Sequence, residues 1–341
     1  MINYSAEKLD SGFLNKINLQ DTPLQKINDP EIANYGVELF VYRIDLIHPQ
    51  ISGNKWFKLK YNLVEAESKG YKKLLTFGGA FSNHIYATAA AGKIFGFKTI
   101  GMIRGEKHLP LNPTLSFAED CGMEFHYLDR TVYRRRYDKD FLIELEKKIP
   151  GAYFIPEGGT NLLAVQGCTE IHQNIKLDFD IVCSPCGTGG TLAGIVCGLN
   201  ERRRALGFSV LKGGEFLNNN VRDLIKQFVN YSKTNREMAQ PSRSLGVNHS
   251  IDLEGYNWEI NLDYHFDGYA KINRELIEFT KNFEKVNNIP LDPVYTGKMM
   301  FGVYDLIKKN YYKEGTKIVA VHTGGLQGVE GMKERIEKIL M

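Results

Sequence analysis

Four short stretches carry residue types that could do chemistry together. Lys55 follows a Gly53-Asn54 turn and opens a helical run, Trp56-Phe57-Lys58-Leu59-Lys60. Ser82-Asn83-His84 follows the glycine pair Gly78-Gly79 at the mouth of another helical run. A primary amine and a hydroxyl on adjacent strand-to-helix turns suit covalent amine–carbonyl chemistry. Gly187-Thr188-Gly189-Gly190-Thr191 lies after an apolar run and before a helix. Its glycines let backbone N–H groups turn inward, and a helix N-terminus favours an anion. The stretch lacks the Gly-Lys-Ser/Thr ending of a nucleotide loop and the spacing of a dinucleotide fingerprint, so a small phosphate-bearing group fits better than ATP or NAD. Tyr295 sits in a stiff Asp292-Pro293-Val294-Tyr295-Thr296-Gly297-Lys298 loop, where a tyrosine can pass a proton if its environment shifts it. Taken singly, each stretch also reads as a capping turn, a solvated lysine or a buried tyrosine.

The elements that must position these groups alternate. Strands are predicted at 37–43, 74–77, 99–104, 124–128, 153–156, 180–184, 209–211 and 317–322. Helices are predicted at 56–70, 82–96, 112–121, 138–148, 162–174, from 191 or 192, 221–231, 272–286 and 298–310, with one more at the C-terminus. Strand–helix alternation with short turns implies a parallel sheet covered on both faces. Glu157-Gly158-Gly159-Thr160-Asn161 and His322-Thr323-Gly324-Gly325 add two more polar, glycine-rich turns at strand ends. In open parallel sheets, sites form outside the carboxyl ends of the strands, so four such turns predict one shared cleft. Residues 1–35 read as an irregular arm, and 234–248 as a polar surface excursion.

The 341 residues suffice for two domains. Hydrophobic content of 43% and charged content of 24% are those of an ordinary soluble protein. A net charge of +3 argues for neither nucleic acid nor an anionic membrane. The basic runs Arg134-Arg135-Arg136 and Arg202-Arg203-Arg204 read as solvated helix faces. The five cysteines are sparse and odd in number, which predicts reduced thiols. Cys183-Ser184-Pro185-Cys186 has redox or zinc spacing, but no second ligand pair accompanies it, and no metal is expected. No signal-like segment or membrane-length apolar run stands out, so a cytoplasmic location is the expectation.

The set of motifs, in order from about residue 50 to 328, resembles the pyridoxal-phosphate (PLP) enzymes of the tryptophan-synthase-β-like fold. Within that fold it is similar to the 1-aminocyclopropane-1-carboxylate (ACC) deaminase and D-cysteine desulfhydrase branch. The resemblance implies an α/β protein of two domains, each an open, twisted, mostly parallel sheet flanked by helices. The active site would lie in the cleft between residues 1–52 with 157–341, a large PLP-binding domain, and residues 53–156, a small one. It implies that Lys55 holds PLP as a Schiff base, that Lys58 and the turn from Gly187 to Thr191 hold its phosphate, and that Asn83 lies near its 3-oxygen. Ser82, with Asn83 and His84, would meet the substrate. Tyr295 would stand by the reacting amino acid, and Tyr269 matches a second tyrosine of the family in a less typical context.

Two positions bear on the branch. ACC deaminases carry Glu after the tyrosine matching Tyr295, where this chain has Thr296. They carry Leu before the last glycine pair, where this chain has Thr323. A carboxylate beside the pyridine nitrogen keeps it protonated and deepens the electron sink, whereas a hydroxyl such as that of Thr296 cannot. Loss of a thiolate from D-cysteine needs a shallower sink than opening a cyclopropane. The expected reaction is therefore β-elimination on D-cysteine or a related small D-amino acid, giving pyruvate, ammonia and sulfide, with ACC deamination to 2-oxobutanoate as the alternative. A homodimer is expected by the same resemblance. Trp56-Phe57 depart from the polar residues usual after the Schiff-base lysine.

Overall fold

The computed structural model describes residues 11–200, 202–239 and 255–341. Among these residues ten strands form two sheets. They are β1 Leu24–Lys26, β2 Glu38–Tyr42, β3 Lys73–Gly79, β4 Lys98–Arg104, β5 Glu124–Leu128, β6 Ala152–Ile155, β7 Ile181–Cys186, β8 Arg204–Ser209, β9 Trp258–Asn261 and β10 Lys317–Val321. One sheet runs β1-β2-β10-β7-β8-β9 and the other β5-β4-β3-β6. All pairings are parallel except β1 with β2.

The six-stranded sheet is buried on both faces, which is why its strands read as apolar runs rather than alternations. The period of two still sorts them. Phe40 and Tyr42 of β2, Val182 of β7 and Val319 and Val321 of β10 join one core. Leu39, Val41, Ile181, Cys183, Ile318 and Ala320 join the core on the opposite face, with Phe208, Met299 and Met300. The last strand of the chain is central: Ile318 pairs with Leu39 on one side and Ile181 on the other. In the four-stranded sheet Leu75 lies between Ile100 and Phe154.

Helix Asn54–Ser68 links the two sheets. It buries Trp56, Phe57, Leu59, Leu63 and Ala66. It packs on helix Leu162–Cys168 so closely that a Cβ on Gly167 would lie 1.8 Å from the Phe57 carbonyl oxygen. Trp56 and Phe57 are each 4% exposed and belong to the large core. The departure noted in the sequence is thus a matter of helix packing.

Several boundaries differ from expectation. The strand expected at 209–211 lies at Arg204–Ser209. Arg204 is paired with Glu259 of β9 and Arg203 with Asp178, so part of this basic run is consumed by ion pairs. Likewise Arg136 is paired with Glu157. The short strands β1 and β9 were not anticipated. Helix Leu162–Cys168 stops six residues short of the expected Asn174, and a helix spans Phe216–Ala239 where 221–231 was expected. Thr234–Ala239 is therefore helical, and the rest of the presumed excursion to Asn248 lies outside the described residues. The C-terminal helix is two pieces, Gln327–Glu330 and Lys333–Leu340.

Candidate active site

The turn carrying Lys55 is fixed by backbone. Gly53 has φ +62° and ψ −139°, and a Cβ there would lie 2.0 Å from the Thr323 carbonyl oxygen. Only glycine meets both demands. The Asn54 N–H donates to that same oxygen at 3.2 Å, so the Lys55 turn is tied to the Thr323-Gly324 turn after β10. Ser82 caps helix Asn83–Phe95, its Oγ accepting from the N–H groups of His84 and Ile85. Asn83 Oδ1 accepts from Gln327 Nε2 at 2.7 Å, which joins the Ser82 turn to the same region. Lys55, Asn83, Thr323, Gly325, Gln50 and Gln327 line one small cavity.

Lys55 Nζ donates to Asn54 Oδ1 at 3.1 Å. Burial, reinforced by the neighbouring Lys58 ammonium, lowers its pKa to about 7. A substantial fraction of the amine is thus unprotonated, and nucleophilic, at neutral pH. Lys58 is 2% exposed and its pKa is also lowered by burial. Its Nζ donates to the Gly158 carbonyl at 2.9 Å, to Thr160 Oγ1 at 3.0 Å and to Thr188 Oγ1 at 3.4 Å. All three acceptors are neutral oxygens.

Lys58 lies beside the glycine turn: a Cβ on Gly190 would lie 3.3 Å from its Nζ. Helix Gly190–Gly198 begins at Gly189, which has φ +81° and no side chain to cap the first N–H groups. Thr188 faces Thr160 at 2.6 Å, while Thr191 accepts from Asn54 Nδ2 at 2.9 Å. Two buried amines, an uncapped helix N-terminus and threonine hydroxyls make a strongly anion-seeking recess. A phosphate group fits it, and the near-neutral Lys55 amine beside it fits an aldehyde.

His84 is 2% exposed. Thr76 Oγ1 gives its single proton to the Ile155 carbonyl at 2.8 Å, so the 2.8 Å contact with His84 Nε2 requires that nitrogen to carry the hydrogen. His84 Nδ1 is then a bare, buried acceptor with no partner in the protein. Burial and the nearby Lys55 and Lys58 hold the ring neutral, far below the ordinary histidine pKa.

On the opposite wall, the Asp292 carboxylate caps helix Thr296–Lys308. It accepts from the N–H groups of Val294, Tyr295 and Thr296 and, at 2.6 Å, from Thr296 Oγ1. Thr296 is fully buried, and its hydroxyl proton is committed to Asp292. Tyr295 packs against the phosphate-type turn, since a Cβ on Gly187 would lie 3.2 Å from its ring. Burial and the adjacent Tyr269 push the Tyr295 phenol well above the ordinary tyrosine pKa. The rings of Tyr269 and Tyr295 meet edge to face, centroids 6.0 Å apart.

All four expected turns therefore converge. Sequence reasoning missed Gln327 and Gln50 on the cavity wall, Thr160 as a partner of Lys58, and Lys298, whose role is described below. The only available signal for Gln327 was its position just beyond the Gly324-Gly325 pair. Among the described residues no group of His, Cys, Asp and Glu could hold a metal ion, and no helix is long and apolar enough to cross a membrane.

Known proteins resemble this chain along most of its length. Residues 17–324 match the family described as pyridoxal-phosphate dependent enzyme. A Pyrococcus horikoshii protein provisionally named 1-aminocyclopropane-1-carboxylate deaminase is 32% identical over 330 residues, covering 94% of each chain. The Arabidopsis thaliana mitochondrial bifunctional D-cysteine desulfhydrase/1-aminocyclopropane-1-carboxylate deaminase is 28% identical, covering 94% of this chain and 80% of that one. A crystal structure of an ACC deaminase homologue superposes with a TM-score of 0.77 at 28% identity, covering 96% of this chain and 98% of the other.

Proposed function

Because the chain belongs to the pyridoxal-phosphate dependent enzyme family, we propose that it is a lyase that removes the β-substituent and the amino group of a small D-amino acid, D-cysteine or a close analogue. With D-cysteine and water the products are pyruvate, ammonia and hydrogen sulfide. PLP supplies an aldehyde that condenses with a primary amine and a ring that accepts the electron pair released at the substrate's α-carbon. The remaining work falls to the protein. Lys58, Thr160, Thr188 and the N–H groups from Gly189 onward would hold the phosphate. Lys55, neutral in good part at pH 7, would hold the aldehyde carbon and afterwards take the α-proton. Ser82 and Asn83 would seat the substrate carboxylate at the N-terminus of helix Asn83–Phe95, where an anion is favoured, whereas the His84 ring has no proton to give it, because Nε2–H goes to Thr76 and the bare Nδ1 can only accept. Tyr295 and Tyr269 would hold the proton that the leaving group needs, and the raised Tyr295 pKa keeps it a phenol rather than a phenolate.

The division into residues 1–52 with 157–341 and residues 53–156 is part of the same proposal, with the cleft between them closed around the substrate. So is a homodimer.

The observation that favours a thiol substrate over a cyclopropane is Thr296, whose side-chain oxygen is a buried hydroxyl committed to Asp292. Position 296 therefore offers no carboxylate to keep a pyridine nitrogen protonated, and loss of a thiolate needs a shallower electron sink than opening a cyclopropane does. The names of the relatives supply the second reading, ACC deamination to 2-oxobutanoate. Side-by-side assays of keto-acid release from D-cysteine, D-serine, L-cysteine and ACC separate the two. Sulfide and pyruvate from D-cysteine without 2-oxobutanoate from ACC is the expected result, and the reverse pattern overturns the proposal.

A further inference from the structure

Lys298 is a third buried amine, and the chemistry above does not use it. It lies in helix Thr296–Lys308, two residues beyond Thr296, and its side chain is fully buried. Its Nζ donates to the His265 carbonyl at 2.8 Å and to the Gly268 carbonyl at 2.7 Å. Among the described residues no carboxylate is within hydrogen-bonding distance of it, although Asp292 acts on it electrostatically. An ammonium on two carbonyl oxygens of one short loop works as a clamp, since charge-assisted bonds are the strong ones.

The clamped loop needs one. Phe266, Asp267 and Ala270 have φ of 50°, 65° and 55°, in the left-handed region that side chains resist, and Gly268 between them has φ 114°. Its own backbone bonds are two turns, Gly268 N–H to His265 O at 3.0 Å and Lys271 N–H to Gly268 O at 3.1 Å. Both turn acceptors are the carbonyls that Lys298 also holds. Arg335 adds one bond to the Ala270 carbonyl at 2.9 Å from the C-terminal helix. This loop carries Tyr269, which is 43% exposed and is held mainly through its backbone and its contact with Tyr295.

We infer that Lys298 is a positioning residue whose ammonium holds the His265–Ala270 loop in its strained form and so sets Tyr269 against Tyr295. Both Lys298 and Tyr295 stand on one rigid stretch, the Asp292-capped start of a helix. That stretch therefore presents one tyrosine directly and the other through the clamp. The inference goes beyond the proposed reaction, and only its catalytic consequence rests on that reading of Tyr269.

Hydrogen exchange on Lys298→Met tests the clamp without any substrate. The amides of Gly268 and Lys271 are expected to exchange at least tenfold faster than in the wild type, while those of the central strands β7 and β10 keep their protection. Unchanged protection at Gly268 and Lys271 overturns the inference. So does faster exchange across β7 and β10, which would make Lys298 a global stabiliser only. Lys298→Arg, which retains the charge and donors, is expected to restore part of the protection. A four-enzyme cycle with Tyr269→Phe then tests the consequence on whichever amino acid the assays above identify. Lys298→Met is expected to lower kcat about tenfold in the wild type and hardly at all beside Tyr269→Phe. Equal losses in both backgrounds overturn the link to Tyr269. A wrong substrate would leave the exchange result intact, so the two failures are distinguishable.

Discussion

Replacing Lys55 with methionine is expected to stabilise the cofactor-free protein, and to do so in a pH-dependent way. Burial and the neighbouring Lys58 bring the Lys55 amine from an ordinary 10.5 to about 7. At about 1.36 kcal/mol per tenfold change in proton affinity, that corresponds to a penalty of about 4–5 kcal/mol on the protonated form. Below about pH 7 the amine carries its proton in both folded and unfolded chains, so the folded state bears the whole penalty. From about pH 7 to 10.5 the unfolded chain holds a proton that the folded one lacks, and stability rises with pH. Above that window neither state is charged and the penalty is gone. Urea unfolding of wild-type and Lys55→Met apoprotein, from pH 6 to 10.5, should therefore show the variant about 4–5 kcal/mol more stable at pH 6–7. The advantage should shrink steadily to near zero by pH 10.5. A gap that is constant over this range, or that widens as pH rises, would refute the assignment of Lys55 as a buried amine strained by its surroundings.

Two further outcomes follow from the same contacts. Lys58→Ala removes the cation that donates to Gly158, Thr160 and Thr188, and a charged hydrogen bond is worth about 1.5–3 kcal/mol. PLP titrated into apoprotein, followed by fluorescence quenching, should bind roughly 10–100-fold more weakly, and unaltered binding would remove Lys58 from the phosphate site. Gly53→Ala forces a Cβ to within 2.0 Å of the Thr323 carbonyl at a φ of +62°, a conflict that backbone movement alone can relieve. A loss of about 3 kcal/mol or more is expected by chemical unfolding, and a neutral result would show that the two turns are not locked together.

The parts of the site that were legible in the sequence are those where chemistry and backbone geometry coincide. Gly53, Gly189 and Gly325 each stand where a side chain would strike a neighbour, so their spacing carried the layout. The convergence of four turns followed from strand direction alone, because parallel strands deliver their carboxyl ends to one side. What stayed hidden depends on distant partners. Strand β9 is four residues long and gains its place only by pairing with β8. Strand β8 was misplaced toward 209–211 because Arg204 and Gly207 look unlike a buried strand. Arg204 is neutralised by Glu259, and Gly207 is required by the close approach of Leu192. Lys298 looked like the tail of a motif, since nothing local betrays carbonyls about thirty residues earlier. Thr296 looked open to a ligand, but its hydroxyl answers Asp292 four residues before it.

The position of β10 has a consequence for how the chain is made. The four-stranded sheet is complete once Ile155 has been synthesised, and its strands come from one continuous stretch, β3 to β6. The six-stranded sheet has an empty central slot until Val321 appears, because only β10 joins β2 to β7. At roughly 5–20 residues per second, about 10–30 s separate the two events on the ribosome. During that interval β2 and β7 each present an unpaired apolar edge, the kind of edge that invites mispairing with other chains. The turn that secures Lys55, Thr323-Gly324, emerges just after β10. The Lys55 amine is thus fixed in place among the last steps of synthesis, so an incomplete chain cannot display the assembled candidate site.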